Sequence, residues 1–450
     1  MKKGMFFALA ASSLLFSACS SDDAVVSTVG QNEAVQQIVL QVASSGDGLT
    51  TRAGRPLYSS QALQTIQHVR VLIYNTTTNA IVKDEQLDWT KSATYNNHGR
   101  QLTLNYKGDK RLEAGSYKVM AVGYSDNSDY NYSLDVTSTD ALTGKYSDIT
   151  ATLKAGKVAE EVFAGDAALT INADKKITNL TSGEEDGLDV TLHRQVAGSF
   201  GYFCNIPAKV GGKTAKTLRL VVRDKNDKLI FNNFNSSFTA AGATGSTIKY
   251  YVNGSKSTDA ALTSDAQFKD GGNGYVLYSI NLDDWYKNGD QDHDGLLTEK
   301  DGWTHADIFK NTTLVKGSVF GSNFVIPFNY AKGKNTMELQ LLDAENNIIK
   351  TWTVSIPTAD VNTDATNGNV ADVSPSIFNV VRNHMYNLGV KPSNGGKTDP
   401  DPGNPNPDPK PDPDPDKPDP DKPEDLSKSQ NLILKVNDNW EAIHQMELGD

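Results

Sequence analysis

Residues 69–85 read VRVLIYNTTTNAIVKDE, and this stretch decides the fold. Apolar and β-branched residues dominate 69–74 and recur in 80–85, with a short polar segment at 76–79 between them. Two such runs separated by turn-forming residues predict a β-hairpin. Similar runs recur along the chain, and few segments have the period of a long helix. The sequence therefore predicts an all-β protein.

The other expected strands form two blocks that meet near residue 188. In the first block, residues 112–119 read LEAGSYKV, an L-x-x-G-x-Y-x-V pattern that resembles those of transthyretin-like sandwich domains. The second block contains two expected hairpins, 217–223 with 229–231 and 336–342 with 348–356, and long strands at 190–203 and 377–390. We therefore expect two tandem β-sandwich domains with Greek-key connections.

This pattern divides the chain into six expected regions. They are a signal peptide at 1–18, a propeptide with a removable strand at 19–52, a first sandwich at 53–187, a second sandwich at 188–390, an Asp/Pro-rich linker at 391–426, and a C-terminal strand at 427–450.

The charge of the chain disfavours one class of partner. The 450 residues carry a formal net charge of −12. Residues 399–425 contain ten acidic and three basic residues, so this segment alone contributes −7. The rest of the chain is only mildly acidic and has no basic patch. Because nucleic-acid backbones are negatively charged, we expect no nucleic-acid partner.

The N-terminus has the pattern of a targeting segment. Lys2 and Lys3 precede an apolar run at 5–16, which ends in small residues. This order is typical of a secretory signal peptide. The residues FSAC (16–19) resemble the lipobox of bacterial lipoproteins, with Phe16 where Leu is usual. The resemblance implies a Cys19 that carries acyl chains such as palmitate and anchors the precursor in the outer membrane. An ordinary cleaved signal is the alternative.

A cleavage point follows the first expected strand. That strand lies at 35–43 (VQQIVLQVA), and a Gly- and Thr-rich stretch follows at 46–54. An arginine-specific protease would cut between Arg52 and Ala53. Arg55 is a poorer site, because the rigid ring of Pro56 blocks most such proteases. A plain exposed loop that contains an arginine is the alternative.

Residues 290–301, DQDHDGLLTEKD, follow the D-x-D-x-D-G-x5-[DE] pattern of a calcium loop. Carboxylates at a spacing of two supply hard oxygen ligands, and Gly295 permits a sharp turn. The expected ligands are Asp290, Asp292, Asp294, the Leu296 carbonyl, Thr298 and Asp301. The short arm of Asp301, in place of the usual glutamate, predicts weaker binding. We expect a structural Ca²⁺, and a solvated acidic loop is the alternative.

The sequence contains no recognisable catalytic constellation. The seven histidines are scattered, and no H-E-x-x-H, G-x-S-x-G, P-loop or G-x-G-x-x-G motif occurs. Cys204 lies in an apolar segment, where a small core residue is the more frequent role than a nucleophile. We therefore expect no enzymatic activity.

The C-terminal region combines a linker with an apolar segment. Residues 399–423 alternate Asp and Pro over much of their length, and a linker of this kind stays extended and solvated. The segment that follows reads NLILKVNDNWEAIHQMEL (431–448). In an extended conformation six of its apolar side chains share one face, namely Leu432, Leu434, Val436, Trp440, Met446 and Leu448. Such a strand requires a partner sheet.

In this order, these segments resemble those of the fimbrillin family, the type V pilins of Bacteroidales. The resemblance covers nearly the whole chain. It rests on Cys19, on Thr51-Arg52-Ala53, on LHRQVA (192–197), on NHMYNL (383–388), and on the Val436, Trp440 and Glu447-Leu448 positions of the C-terminal segment. The calcium-type loop is not a mark of the family.

The resemblance implies an assembly mechanism. An arginine-specific protease would cut the lipidated precursor after Arg52 and release the strand near residues 38–42. The C-terminal strand of another subunit would fill the groove, and repetition would give a fibre outside the cell. The partners would be copies of this chain or related fimbrial subunits. We expect a stalk subunit that supports cell adhesion.

Other roles remain open on the sequence alone. An anchor subunit would keep its N-terminal strand, and a tip subunit would not need a donor strand. A surface glycan-binding lipoprotein is a further alternative. Its sandwiches would use exposed aromatic residues such as Trp285 and Trp303, and its C-terminal strand would complete its own fold.

Overall fold

A computed structural model of the chain describes residues 35–42, 66–78, 80–89, 94–96, 99–126, 128–133, 149–179, 187–223, 225–231, 254–255, 275–304, 314–329, 337–355, 379–380, 382, 385–389, 423–428 and 432–437. Within these residues β-strands predominate and form several hydrogen-bonded sheets. The predicted all-β class is confirmed. Over the same residues, no helix is long and apolar enough to cross a membrane.

The largest sheet has eight strands in the order β3-β2-β6-β9-β10-β1-β5-β4. They are β1 (Gln36–Val42), β2 (His68–Asn75), β3 (Ile81–Asp88), β4 (Thr94–Asn96), β5 (Gly99–Tyr106), β6 (Gly115–Tyr124), β9 (Phe163–Ile171) and β10 (Gly187–Arg194). A short 3-10 turn at Gly108–Lys110 follows β5. β2 and β3 are the hairpin predicted at residues 69–85.

This sheet folds back on itself between β9 and β10. Only two residue pairs join these strands there, His193 with Ala164 and Arg194 with Phe163. Inward side chains of β2, β6 and β9 share one apolar core with those of β1, β5 and β10. The two halves of the sheet therefore form the first sandwich, and β1 lies in one of its two layers.

A smaller sheet packs near the first sandwich and links it to the second block. Its order is β17-β16-β8-β7, with β7 (Tyr130–Ser133), β8 (Thr150–Leu153), β16 (Lys228–Ile230) and β17 (Gly254–Ser255). Leu72 and Met120 of the large sheet share a separate core with Leu229 and Phe231. Because β16 comes from the second block, this layer joins the two parts of the chain.

The second sandwich is built from two five-stranded sheets around one core. The first contains β20 (Ser318–Val325), β11 (Ala197–Cys204), β25 (Met385–Leu388) and β28 (Lys435–Asn437), with β26 (Glu424–Asp425) also paired to β11. The second has the order β18 (Tyr275–Asn281), β15 (Thr217–Val222), β22 (Met337–Leu342), β23 (Ile348–Ser355) and β27 (Leu432–Ile433). The predicted pair of sandwiches is confirmed.

Short two-stranded sheets accompany the two main sheets of the second sandwich. They are β12 (Ile206–Pro207) with β19 (Leu296–Leu297), β13 (Lys209–Val210) with β14 (Lys213–Thr214), and β21 (Phe328–Asn329) with β24 (Asn379–Val380). A 3-10 turn at Leu282–Asp284 follows β18. The β12–β19 pair attaches the acidic loop to the end of β11, because β12 begins two residues after β11 ends.

The long strand predicted at 190–203 is instead two strands in different sheets. β10 ends at Arg194 and β11 begins at Ala197, and the backbone changes sheet between them. The buried Gln195 stabilises this crossover by donating from Nε2 to the carbonyls of Ala164 and His193. The predicted boundary between residues 187 and 188 therefore falls at the start of a first-sandwich strand, and the second sandwich begins after Val196.

One of the two hairpins predicted in the second block forms. β22 and β23 pair as predicted. The other prediction was wrong, since β15 pairs with β18 and β22, whereas β16 pairs with β8 of the first block. Sequence alternation alone does not reveal a partner that lies some 75 residues earlier in the chain.

A buried ion pair lies where the chain passes between the sandwiches. Arg194 donates from Nε to Glu161 at 2.9 Å and from Nη2 at 2.8 Å, and both side chains are fully buried. The guanidinium also lies 5.2 Å from the centre of the Phe163 ring. A buried ion pair adds little net stability over an apolar pair of similar volume. Removing one partner, however, leaves the charge of the other buried and uncompensated, which is strongly destabilising.

We predict that Glu161→Gln lowers the free energy of unfolding by about 3–5 kcal/mol, because the buried guanidinium of Arg194 would lose the carboxylate charge that it contacts. Urea denaturation of the full chain measures this. Glu113→Gln, in the exposed Lys175–Glu113 pair, is the matched control and should change little. A loss no larger than that of the control would show that the buried pair does not stabilise the crossover.

Candidate functional site

Strand β1 is hydrogen-bonded along both of its edges. It runs parallel to β10 from the Gln37–Gly187 pair to the Val42–Leu192 pair. It runs antiparallel to β5 from the Gln36–Tyr106 pair to the Gln41–Gln101 pair. In the sequence, β1 precedes every other strand of the first sandwich. In the fold, it lies in the interior of one of the two layers. Loss of β1 would leave β10 and β5 with unpaired backbone groups facing a gap one strand wide.

The side chains of β1 contribute to the first core. Ile38 and Leu40 are fully buried, and Val39 on the opposite face is 8% exposed. Burial of an Ile or Leu side chain contributes about 1.5–3 kcal/mol, so these two contribute up to about 3–6 kcal/mol. The strand is therefore a structural part of the sandwich and is held by side chains as well as by the backbone.

A buried glutamine fixes the beginning of β1. Gln36 is 1% exposed. Its Nε2 donates to the carbonyls of Leu112 and Lys175, each at 2.9 Å, and its Oε1 accepts from the Leu112 backbone N–H at 2.7 Å. One side chain thus satisfies three backbone groups of two loops. This role was not predicted, since its only signal in the sequence is a polar residue on the apolar face of the strand.

The C-terminal segment pairs with the second sandwich of its own chain. β27 adds to β23 through the Val354–Leu432 and Ser355–Ile433 pairs, and β28 adds to β25 through three pairs. Leu432 and Leu434 are each 1% exposed and lie in the second core. The segment therefore adds a short strand to the edge of each sheet of this sandwich.

The end of the predicted linker is also part of the fold. The linker was expected to extend to residue 426, but Glu424–Asp425 pair with the end of β11 and Leu426 is fully buried. The Leu426 backbone N–H donates to the carbonyl of Cys204. This part of the linker prediction was wrong, because a single buried leucine provides the apolar anchor that the Asp/Pro run lacks.

Several predicted site residues lie outside the described residues. They are Cys19, Arg52, Ala53, Trp440, Met446 and Leu448, together with most of the Asp/Pro run. Val436 lies in β28, where its backbone pairs with Tyr386.

The acidic loop brings three of its predicted ligands together. One carboxylate oxygen each of Asp290, Asp292 and Asp294 lies within 4.8 Å of the others. Within the described part of the chain, Asp290 Oδ1 is buried and has no hydrogen-bond partner. Asp294 Oδ1 accepts from the Leu296 backbone N–H at 2.8 Å, and Lys300 Nζ lies 3.3 Å from Asp292 Oδ2. An oxygen left unpaired next to two carboxylates fits a hard cation.

Asp301 closes the same loop from inside. Its side chain is fully buried and accepts from the backbone N–H groups of Gln291 and Thr298, each at 2.7 Å, and from Thr298 Oγ1 at 3.0 Å. Burial alone would raise the pKa of Asp301, but these hydrogen bonds outweigh it and lower the pKa below its usual value. Asp301 and Thr298 thus hold the loop closed. Their side-chain oxygens are engaged in these hydrogen bonds and are not directed as ligands towards a cation at the three aspartates.

The aromatic residues suggested for glycan binding are used by the core. Trp285 is 3% exposed and belongs to the second core. Trp303 packs against that core and donates from Nε1 to the Ser318 carbonyl at 2.7 Å. The expectation of exposure was therefore wrong for Trp285, whereas Trp303 is half-buried.

Cys204 has the properties of a structural thiol. It ends β11, next to the Asp425 of β26. Burial, and then the nearby Asp425 carboxylate, raise the pKa of the Cys204 thiol to about 11. The thiolate that a nucleophile requires is therefore scarce at neutral pH.

No family model and no curated protein matches the chain. Its fold is similar to that of a fimbrial assembly protein from Parabacteroides distasonis, with 12% identity over 80% of this chain and 92% of that one and a TM-score of 0.36. The tip fimbrial protein Mfa3 from Porphyromonas gingivalis, truncated at its C-terminus, shows 9% identity over 79% and 94% (TM-score 0.31). The fimbrial anchor protein Mfa2 from the same organism shows 9% over 79% and 90% (TM-score 0.34). At these sequence identities and TM-scores, the functions of these proteins cannot be assigned to this chain.

We predict that Leu432→Ala lowers the free energy of unfolding of the full chain by about 2–4 kcal/mol, because it leaves a cavity in the second core. Urea denaturation at low protein concentration measures this within the single chain. Ile348→Ala in the same sheet is the control, since Ile348 is 38% exposed and its truncation should cost much less. Equal, small losses would show that the C-terminal segment does not pack on its own sandwich.

Proposed function

We propose that the chain is a structural subunit of a surface pilus and that it polymerises by exchange of β1. The single observation that supports this is the position of β1, a separable N-terminal strand inserted between β10 and β5. An arginine-specific protease cutting between Arg52 and Ala53 would separate β1 from the rest of the chain. The strand would then be held only by non-covalent contacts and could be replaced by another.

The C-terminal segment of a second copy is the proposed replacement. It is an apolar strand able to pair with a sheet edge, and it follows an Asp/Pro run in the sequence. That run would give the segment reach once Glu424–Leu426 are released from β11 of their own chain. Each copy would give one strand and receive one. Such a head-to-tail contact does not close on itself and therefore builds a filament. This two-ended design favours a stalk subunit over an anchor or a tip.

The N-terminal segment sets the proposed route to the cell surface. The lipobox-like sequence that ends at Cys19 would direct the attachment of acyl chains to this cysteine. The acyl chains would then hold the precursor at the outer membrane. Cleavage after Arg52 would release the chain from that anchor. The mature subunit would then belong to an extracellular fimbrium that supports adhesion.

One observation favours a second candidate. The C-terminal segment pairs with its own second sandwich, as it would in a self-contained surface lipoprotein. In that case β1 would never leave and the chain would act as a monomer, for instance as a glycan-binding protein. Cleavage distinguishes the two candidates, because only the pilus subunit gains a new partner when β1 is released.

We predict that limited trypsin treatment of the purified full chain cuts after Arg52 and converts it to polymers. Arg52→Ala should stay monomeric under the same conditions, whereas Arg55→Ala, the matched control, should behave like the parent. N-terminal sequencing identifies the cut, and size-exclusion chromatography with electron microscopy detects the polymer. A chain that starts at Ala53, has lost β1 and remains monomeric at high concentration would contradict the pilus role.

We also propose that the acidic loop holds a structural Ca²⁺. The carboxylates of Asp290, Asp292 and Asp294 would be its protein ligands, and the buried Asp290 Oδ1 without a partner supports this. Leu296, whose carbonyl is the fourth expected ligand, lies in β19 and pairs with β12. The ion would therefore stiffen a loop that is attached to the end of β11.

We predict that a chelator lowers the melting temperature of the full chain by about 2–5 °C, because a ligand of the folded state stabilises it by mass action. Added Ca²⁺ should restore the value. Asp292→Asn should abolish this response, and Asp109→Asn, an exposed carboxylate elsewhere, should keep it. A parent chain whose melting temperature is the same in excess chelator and in Ca²⁺ would show that the loop does not bind the ion.

A further inference from the structure

The inward face of β1 has a defined order of side chains. Gln36 comes first and is held by the Leu112 and Lys175 backbones, then Ile38 and Leu40 enter the apolar core at successive alternate positions. Any strand that replaces β1 in the same direction must satisfy the same three positions. It needs a side-chain amide at the first and apolar side chains at the next two, since a buried backbone group without a partner is costly.

The C-terminal segment contains this order in its own sequence. Residues 36–42 read QQIVLQV, and residues 430–436 read QNLILKV. The glutamine, the second of the two inward apolar residues and the final valine are identical. Leucine replaces isoleucine at the other inward position, and the outward positions hold polar residues at Asn431 and Lys435, as β1 does at Gln37 and Gln41. At the remaining outward position, β1 has Val39, which is 8% exposed, and the C-terminal segment has Ile433.

No other register of the segment satisfies the groove. After residue 426 the only other glutamine is Gln445, and it would place Glu447 in the Ile38 position. The shorter amide of Asn431 would place Lys435 in the Leu40 position. The amides of Asn437 and Asn439 would place Glu441 in the Leu40 and Ile38 positions, respectively. Each of these registers buries a charged side chain in an apolar core, which strongly disfavours binding. Gln430 alone is followed by apolar residues at both inward positions.

We propose that Gln430 sets the register of the exchanged strand, so that residues 430–436 of a second copy replace residues 36–42 one for one. The proposal rests on the proposed function and adds the positioning residue and the pairing. Gln430 would donate to the carbonyls of Leu112 and Lys175 of the neighbouring copy. Leu432 and Leu434 would fill the places of Ile38 and Leu40, and residues 438–450 would extend beyond the groove.

The pairing of β1 with β5 defines a cross-linking test. Gln41 lies opposite Gln101, and Gln37 lies opposite Asn105. In the proposed register, residue 435 therefore lies opposite residue 101, and residue 431 opposite residue 105. Directly opposed Cα atoms in an antiparallel pair are about 4.5–5.5 Å apart, within the range of a disulfide. Positions displaced by four residues are about 13 Å further along the strand and cannot be bridged.

The test uses full-length chains with Cys204→Ser, each carrying one added cysteine and cleaved after Arg52. Two chains are mixed, one with Lys435→Cys or Asn431→Cys and the other with Gln101→Cys or Asn105→Cys. Under mild air oxidation, the pairs 435–101 and 431–105 should give the disulfide-linked mixed dimer, at about tenfold or greater yield than the crossed pairs 435–105 and 431–101. An equal or higher yield from the crossed pairs would overturn the register.

Substitution of Gln430 tests its role directly. Gln430→Leu should slow polymerisation of the cleaved full-length chain by about tenfold or more, because three backbone groups of the neighbour lose their partner. Asn431→Ala, at the adjacent outward position, should polymerise like the parent. The urea midpoint of each uncleaved chain is measured in parallel and should be unchanged.

The outcomes separate this proposal from the function on which it rests. Equal polymerisation of Gln430→Leu and the parent would show that Gln430 does not set the register, while strand exchange itself would stand. Failure of the parent chain to polymerise after cleavage would instead remove the pilus role, and the register proposal with it.

Discussion

Strand β1 is paired on both edges, and the first sandwich depends on this arrangement. Its ladder contains six residue pairs with β10 and six with β5, and its Ile38 and Leu40 side chains lie in the core. Removing it would open a gap about 10 Å wide between two strand edges, since neighbouring strands are about 4.8 Å apart. A gap of this kind accepts only an extended chain with the correct alternation of side chains. In the proposed polymer, this requirement would select the strand that replaces β1.

Within the described residues, the C-terminal segment forms fewer ladder pairs with its own second sandwich than β1 forms with the first sandwich. Its strands form two pairs with β23 and three pairs with β25, and both contacts are at sheet edges. A segment that leaves these short edge contacts for a two-sided groove would gain backbone hydrogen bonds, while its leucines would pass from one apolar core to another. In the proposed assembly, the closed single chain and the polymer would be two arrangements of the same strand, and cleavage at Arg52 would decide between them.

The sequence predicts local strands better than it predicts their partners. The hairpins at β2–β3 and β22–β23 are readable because a short polar turn joins two apolar runs. The partner of β16 and the crossover at Gln195 cannot be predicted in this way. They depend on contacts distant in sequence and on a buried ion pair between Arg194 and Glu161. The three aspartates of the acidic loop were predicted together from their spacing. Gln36 was missed, since a glutamine within an apolar strand carries no sign of the backbone groups that it will meet.

Exchange of β1 is tested most directly by hydrogen–deuterium exchange of the full chain before cleavage, after cleavage at low concentration, and in the assembled state. Strand exchange predicts that the amides of Gly99–Tyr106 and Gly187–Arg194 lose protection when β1 departs and regain it on assembly. It also predicts that protection at residues 430–436 becomes greater in the assembled state than in the single chain, where this segment pairs only at sheet edges. Unchanged protection of β5 and β10 throughout, in a chain shown to have lost β1, would contradict it.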